Sequence, residues 1–187
     1  MIERKEPTCD PADYRPYDHT EGLAPLAHYG SKYVFKVNGS MHDEWGRPCG
    51  RPDNAEAVIR HLTEKIEDHR DEIAITRKYH MDDADIVIIA YGGTARSALS
   101  AMEKAREKGF KAGVLQLVTI WPVAEKEITA VMEKAKAVIV PELNLGQFIG
   151  EIRARNPKNI PVTGVNRVDG KPIEPMQILA KIEEATK

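Results

Sequence analysis

DIVIIAYGGTARSALSAMEKAREKGFKAGVLQLVTI, residues 85–120, decides how the rest of the chain is read. It opens on a short apolar run, Asp85 to Tyr91, centred on Val87, Ile88 and Ile89. A strand covered by helices on both faces shows such a continuous run in place of alternation, so a parallel sheet is expected. The run stops at Gly92-Gly93, and Thr94 is placed to cap a helix. Ala95, Ala98, Leu99, Met102 and Ala105 then recur on one helical face. Gly109 stands where a helix ends in a left-handed residue, and a second strand begins about four residues later, within the usual loop length. Strand, glycine turn, helix and strand make a β-α-β unit, with the right-handed crossover such units adopt.

The glycine turn lies at the carboxyl end of a strand and the amino end of a helix. Unpaired backbone N–H groups and the helix dipole favour anions there. Gly92, Gly93, Thr94 and Arg96 are therefore candidate anion-binding residues. The competing reading is structural, with two glycines letting the chain turn tightly and pack its helix against the sheet. The spacing matches neither the dinucleotide fingerprint nor the phosphate loop with its lysine, so both readings stand.

The chain has 187 residues, enough for one domain of ordinary size and a smaller appendage. With 42% hydrophobic and 30% charged residues, it has the composition of a soluble globular protein. No apolar run approaches the roughly 20 residues that span a bilayer. The opening MIERKEPTCD lacks the apolar core of a secretory signal, so a cytoplasmic location without membrane contact is expected. A net charge of −2, a pI near 6.3 and lysines interleaved with glutamates argue against a nucleic-acid partner. Cys9 and Cys49 are the only cysteines, and no CxxC occurs. They cannot complete a four-thiolate iron–sulfur site or a four-ligand zinc site, so any redox centre is expected in a partner.

Three domains are expected: residues 1–52, an extended arm with a small β element; 53–82, a connector helix; and 83–187, a layered α/β domain. In the arm, Pro7, Pro11, Pro16 and Pro25 interrupt any helix, while Tyr14, Tyr17 and Tyr29 supply aromatic surface suited to an interface. Tyr33, Phe35 and Val37 alternate with Val34 and Lys36 before Asn38-Gly39, a hairpin signal. The loop beyond holds His42, Asp43 and Glu44. Three adjacent residues cannot all face one ion on regular structure, so these read as a loop or subunit contact and no metal ligands are assigned. Asp53 and Glu56 have cap spacing, and Ala55, Val58, Ile59, Leu62 and Ile66 form one helical face. Residues 71–82 define no element.

After the second strand, Val114 to Ile120, Pro122 suits a first helical turn, and Ile128, Val131, Met132 and Ala135 form its buried face. Ala137 to Val140 is a third strand. Asn144 can cap a helix carrying Leu145, Phe148, Ile149 and Ile152 inward. Pro161 to Val165 reads as an edge strand, and a last helix starts near Pro175 with Met176, Leu179 and Ile182 inward. The result is α/β, a three-layer α/β/α domain with a mostly parallel sheet. Ligands of such sheets bind beyond the carboxyl ends of the strands, where Glu142, Asn144 and Gln147 surround one helix start. These three are either cap, solvated surface and ordinary side chain, or a polar contact to a partner or an active-site wall.

Several of these segments resemble one family in register. YGGTARSALSAMEKAREKGFKAGVLQLVTIWP (91–122) and KAVIVPELNLGQ (136–147) look like the second domain of the alpha subunit of 2-oxoacid:ferredoxin oxidoreductases, of the 2-oxoglutarate synthase type. GSMHDEWGRP (39–48) and YRPY (14–17) resemble the stretch before that domain. The resemblance implies a fold like the transketolase C-terminal domain, within a cytoplasmic heteromeric enzyme that oxidises a 2-oxoacid to acyl-coenzyme A and reduces ferredoxin. It also implies that thiamine diphosphate, magnesium and the iron–sulfur cluster belong to the beta subunit and to a thiamine-pyrimidine domain for which this chain has no room. On that reading the chain binds no cofactor alone, has no catalytic residue and is inactive in isolation. The alternatives are a stand-alone nucleotide- or coenzyme A-binding module and a purely structural docking subunit.

Overall fold

In the structure, a computed structural model, residues 5–18, 20 and 23–186 are described. The chain forms two compact units, Met1–His69 and Arg70–Lys187. The first holds a short 3-10 turn, Pro11–Asp13, and α1, Pro52–Glu67. The second holds α2 (Arg70–Ile73), β1 (Thr76–Tyr79), β2 (Ile86–Tyr91), α3 (Thr94–Glu107) and β3 (Ala112–Leu117). These are followed by α4 (Glu125–Lys134), β4 (Ala137–Glu142), α5 (Ile149–Arg153), β5 (Val162–Asn166) and α6 (Pro175–Ala185).

In the first unit tyrosines organise the chain around themselves. Tyr14, Ala27 and Tyr33 are buried together, with Phe35 packed alongside. The Tyr14 hydroxyl donates to the Pro25 carbonyl and accepts from the Ala27 N–H, both at 3.0 Å. That of Tyr33 lies 2.8 Å from the Pro7 carbonyl. A proline-rich segment that cannot bond to itself is thus satisfied by phenol groups reaching in from elsewhere. The expected hairpin at Tyr33–Val37 does not form. Val34 is 92% exposed and, among the described residues, no strand pairs with this segment; the isolated bridge described in the unit joins His42 to Pro48. Asn38 diverts the backbone, accepting from the Ser40 N–H and donating to the Gly46 carbonyl, as Asn side chains do when they compete with a ladder.

α1 forms where its periodicity places it, but its cap differs: Arg51 is the N-cap and Pro52 the first helical residue, with no side-chain cap. Ile59 and Leu62 of its apolar face are exposed.

The second unit is built on a five-stranded sheet of order β1-β3-β2-β4-β5, in which β1 is antiparallel to β3 and all other pairs are parallel. β2 shows why its sequence is unbroken apolar. Ile86, Ile88 and Ala90 pack with α3 and α6 on one face, and Val87 and Ile89 pack with α4 and α5 on the other. Two buried layers therefore flank one sheet, the expected three-layer arrangement. β1 arises inside the stretch expected to be a connector. Its sequence, TRKY, is largely exposed, and only pairing to β3 identifies it. In α6 the inward residues are Ile178, Leu179 and Ile182; Met176 is 54% exposed, because the helix presents a face shifted by two residues at its first turn. Gly109 takes the left-handed conformation expected of it, with φ of 87°.

Gly113 sits where β3 passes closest to the chain entering β2. A methyl group there would lie 2.8 Å from both the Ala84 Cβ and the His80 carbonyl oxygen. Backbone cannot yield as a flexible side chain does. Gly113→Ala is expected to lower unfolding free energy by about 1–3 kcal/mol, measured as a reduced urea midpoint at unchanged slope.

Candidate functional site

In this strand order β2 connects to β3 on one side, and β3 then connects to β4 on the other. The switch point therefore lies between the carboxyl ends of β2 and β4, where ligands of open α/β sheets bind. The Gly92–Arg96 turn follows β2 and the Glu142–Gln147 corner follows β4, so the two sequence clusters meet there.

Glu142 is the centre of this site. Its carboxylate is fully buried, at 0% exposure, at the last position of β4. Oε1 accepts from the Tyr91 hydroxyl at 2.9 Å, the Phe148 N–H at 2.9 Å and Asn144 Nδ2 at 3.3 Å; Oε2 accepts from the Ile149 N–H at 3.2 Å. Glu142 is thus neither solvated nor exposed to a ligand. It caps the start of α5, a role the sequence reading gave to Asn144. Asn144 instead closes the loop before that helix: its Oδ1 accepts from Gly146 N–H at 2.8 Å and Gln147 N–H at 3.0 Å, and its Nδ2 donates to the Tyr91 hydroxyl at 3.0 Å. The helix consequently starts at Ile149, later than expected. Gln147 is exposed.

Tyr91 was read only as a strand end, yet its hydroxyl accepts a hydrogen bond from Asn144 Nδ2 and donates one to Glu142, and its ring meets Phe148 edge-on at 5.4 Å. Burial, together with the hydrogen bond to Glu142 and its charge, raises the Tyr91 pKa above the usual 10.0. One signal could have found this pair. IVIIAY and AVIVPE are both six-residue runs, and aligning their starts, Ile86 with Ala137, sets Tyr91 opposite Glu142.

On the other side of the switch point, Gly92 is left-handed with φ of 54°, and Gly93 is the N-cap of α3. Thr94 is not the cap. It is the buried first residue of the helix, and its hydroxyl donates to the Tyr91 carbonyl at 2.7 Å. Arg96 is exposed and, among the described residues, makes no side-chain hydrogen bond or ion pair. His42, Asp43 and Glu44 belong to the first unit and serve its loop. The His42 ring lies 4.1 Å from that of Tyr17, the Asp43 carboxylate accepts from the Trp45 and Arg47 N–H groups, and the Glu44 carbonyl accepts from Tyr17 N–H. Among the described residues, no group of three or more His, Cys, Asp or Glu side chains is placed to hold a metal, and no helix is long and apolar enough to cross a membrane.

Comparison with known proteins gives this geometry a family. The model for the pyruvate:ferredoxin oxidoreductase core domain II matches residues 84–178, half of the chain. The chain belongs to that family. The matched stretch runs from the entry into β2 to the first turn of α6 and includes the whole switch point. Among relatives, the 2-oxoglutarate synthase subunit KorA of Methanothermobacter marburgensis is 35% identical over 96% of this chain and 48% of its own length. That of Methanocaldococcus jannaschii is 31% identical over 95% of this chain and 48% of its own. A solved structure, the 2-oxoglutarate:ferredoxin oxidoreductase from Magnetococcus marinus with 2-oxoglutarate, coenzyme A and succinyl-CoA bound, aligns with all of this chain and 33% of that one. Its TM-score is 0.80 at 27% identity. The chain thus spans about half the length of the curated relatives it matches.

Glu142→Ala removes the acceptor of two backbone N–H groups, one hydroxyl and one side-chain amide in a buried place, and is expected to cost about 2–3 kcal/mol in urea unfolding. Tyr91 also gives a pH signature. Because its folded pKa is raised, its contribution is complete below about pH 10 and fades as pH climbs through the folded value. Tyr91→Phe should therefore show a shallower alkaline loss of stability than the parent, with the two curves keeping a constant offset below that range.

Proposed function

We propose that this chain is part of the alpha-type subunit of a 2-oxoacid:ferredoxin oxidoreductase acting on 2-oxoglutarate, in which a 2-oxoacid is oxidatively decarboxylated to its acyl-coenzyme A while ferredoxin is reduced. The observation that carries the reading is the 35% identity to a 2-oxoglutarate synthase subunit over 96% of the chain. Thiamine diphosphate supplies the carbanion chemistry in such an enzyme and iron–sulfur clusters carry its electrons. The role of this chain's own residues is positional. Glu142 and Asn144 are saturated by internal donors and acceptors, so they hold the corner after β4 in one conformation and do not themselves move protons. The partners are a beta subunit and the thiamine-pyrimidine domain, forming a hetero-oligomer in the cytoplasm.

The test is turnover. The full chain alone should neither reduce an electron acceptor with 2-oxoglutarate and coenzyme A nor bind thiamine diphosphate at micromolar concentration in calorimetry. Mixed with companion polypeptides from its own source that supply the rest of the relatives' length and the beta subunit, it should restore 2-oxoglutarate-dependent reduction. Turnover or micromolar thiamine diphosphate binding by the chain alone overturns the proposal.

A second reading is favoured by the unpaired guanidinium of Arg96 beside Gly92 and Gly93: the turn after β2 holds a phosphate of coenzyme A or a nucleotide. Arg96→Ala would then weaken coenzyme A binding by about 1.5–3 kcal/mol. Unchanged affinity returns the turn to a structural role.

A further inference from the structure

Two loops at the carboxyl edge of the sheet in the second unit differ in character from the turns at its amino edge. The turns at the amino ends of the parallel strands carry Asp82, Asp83, Asp85, Lys108, Lys111 and Lys136, as a solvated edge should. At the carboxyl ends, the turn after β2 carries the exposed Arg96 and the loop after β5 carries Arg167, Asp169, Lys171 and Glu174, whereas the loops 118–124 after β3 and 143–148 after β4 contain no charged residue. They expose Val118, Ile120 and Trp121 from the first and Leu143 and Leu145 from the second, with Trp121 at 64% and Leu145 at 82%. Ile75, whose carbonyl accepts from the Val118 N–H at 2.9 Å, adds one more exposed apolar side chain beside them. β3 and β4 flank β2, so the two loops stand about 10 Å apart, close enough for one contiguous patch.

We propose that this carboxyl edge is a permanent protein–protein interface, and that its occupant is the half of the relatives' length which this chain does not span. The inference rests on the proposed function for the identity of that occupant. Charge depletion with exposed aromatic and aliphatic side chains is the composition of an interface core, whereas scattered exposed apolar residues on a monomer are not segregated to one edge. Between these two loops few polar groups are left for a small polar ligand: Asn144 is committed to Tyr91, Gly146 and Gln147, the Thr119 hydroxyl to the backbone of Ile73 and Ile75, and Gln147 is the remaining exposed amide. The relatives are about twice as long as this chain, so a polypeptide of comparable size accompanies the matching segment in each of them. The occupant's chemistry follows from the patch, namely a largely apolar protein surface with an acceptor facing Arg96, which stands in the turn between the two loops.

The experiment mixes the full chain with the separately produced polypeptide from its own source that aligns with the remaining half of the relatives. Complex formation is followed by light scattering, and amide exchange is followed in both states. A complex is expected in which exchange across 118–124 and 143–148 slows at least about tenfold while 108–111, on the opposite edge, is unchanged. Trp121→Glu and Leu145→Glu, both at exposed positions, should each weaken the complex at least about tenfold while keeping the parent's circular dichroism, and Lys111→Glu should not. Absence of a complex, or one indifferent to both substitutions, overturns the inference. So does concentration-dependent slowing of the same loops in the chain alone, which would make the occupant a second copy. Turnover measured on the same mixture separates the two proposals. A complex sensitive to Trp121→Glu but without 2-oxoglutarate oxidation leaves the interface standing and removes the function. Turnover that survives both substitutions does the reverse.

Discussion

A carboxylate buried at the end of a strand must be satisfied or neutralised, and the way Glu142 is satisfied fixes the geometry of the second unit's carboxyl edge. Its register with β2 shows why. The β2–β4 ladder pairs Ile86 with Ala137 through Ile88 with Ile139. Beyond that point β4 contains Pro141, which brings no N–H to any ladder. Continued to the strand ends, the same register sets Tyr91 opposite Glu142, and there a hydroxyl–carboxylate bond of 2.9 Å ties the strands by their side chains. The same carboxylate then takes the first N–H groups of α5. One charge thus closes the sheet at the switch point and starts the next helix, and the desolvation it suffers is offset by several donors, not by a single counter-ion.

How much of this was legible in the sequence depended on whether an element's partner was local. β2, α3 and β3 could be read because an apolar run, a glycine turn and a 3.6-residue period all lie within 36 residues, Asp85 to Ile120. β1 could not, since Thr76–Tyr79 has no apolar pattern and exists as a strand only through pairing to β3. The reverse error occurred at Tyr33–Val37, where alternation and Asn38-Gly39 suggested a hairpin but the described residues of the unit include no second strand to receive it. Alternation is necessary for a half-buried strand, yet a ladder needs two chains.

The candidate site was legible as an address and not as a mechanism. The loops after β2 and β4 lie on one edge because β2 and β4 are parallel neighbours. The roles within them were exchanged: Asn144 was the expected cap and Glu142 an exposed acid, whereas the structure buries the acid and gives it the cap. The reason is physical. A glutamate reads as solvent-facing unless its donors are visible, and Tyr91 lies 51 residues away in sequence, reachable only through the register. The loop of His42, Asp43 and Glu44 illustrates the opposite case, in which adjacency in sequence suggested joint chemistry and each residue found its own local partner.

The corner after β4 also explains why the edge beyond it is apolar. From Glu142 to Leu145 the chain continues to alternate, but with its usual sense inverted: Glu142 and Asn144 turn inward to the Tyr91 network, and Leu143 and Leu145 turn out. Glu142 and Asn144 are consumed in holding the corner, which leaves Gln147 as the exposed polar side chain of this loop. A monomeric protein with such an arrangement would bury its charge and expose its leucines, two unfavourable choices made at once. The arrangement becomes favourable when the outward side chains are removed from water by another surface, since burial then contributes roughly 25 cal/mol for each Å² of apolar area. The buried glutamate and the exposed leucines are therefore two sides of one alternation, which turns the polar side chains to Tyr91 and the apolar ones to the outer face.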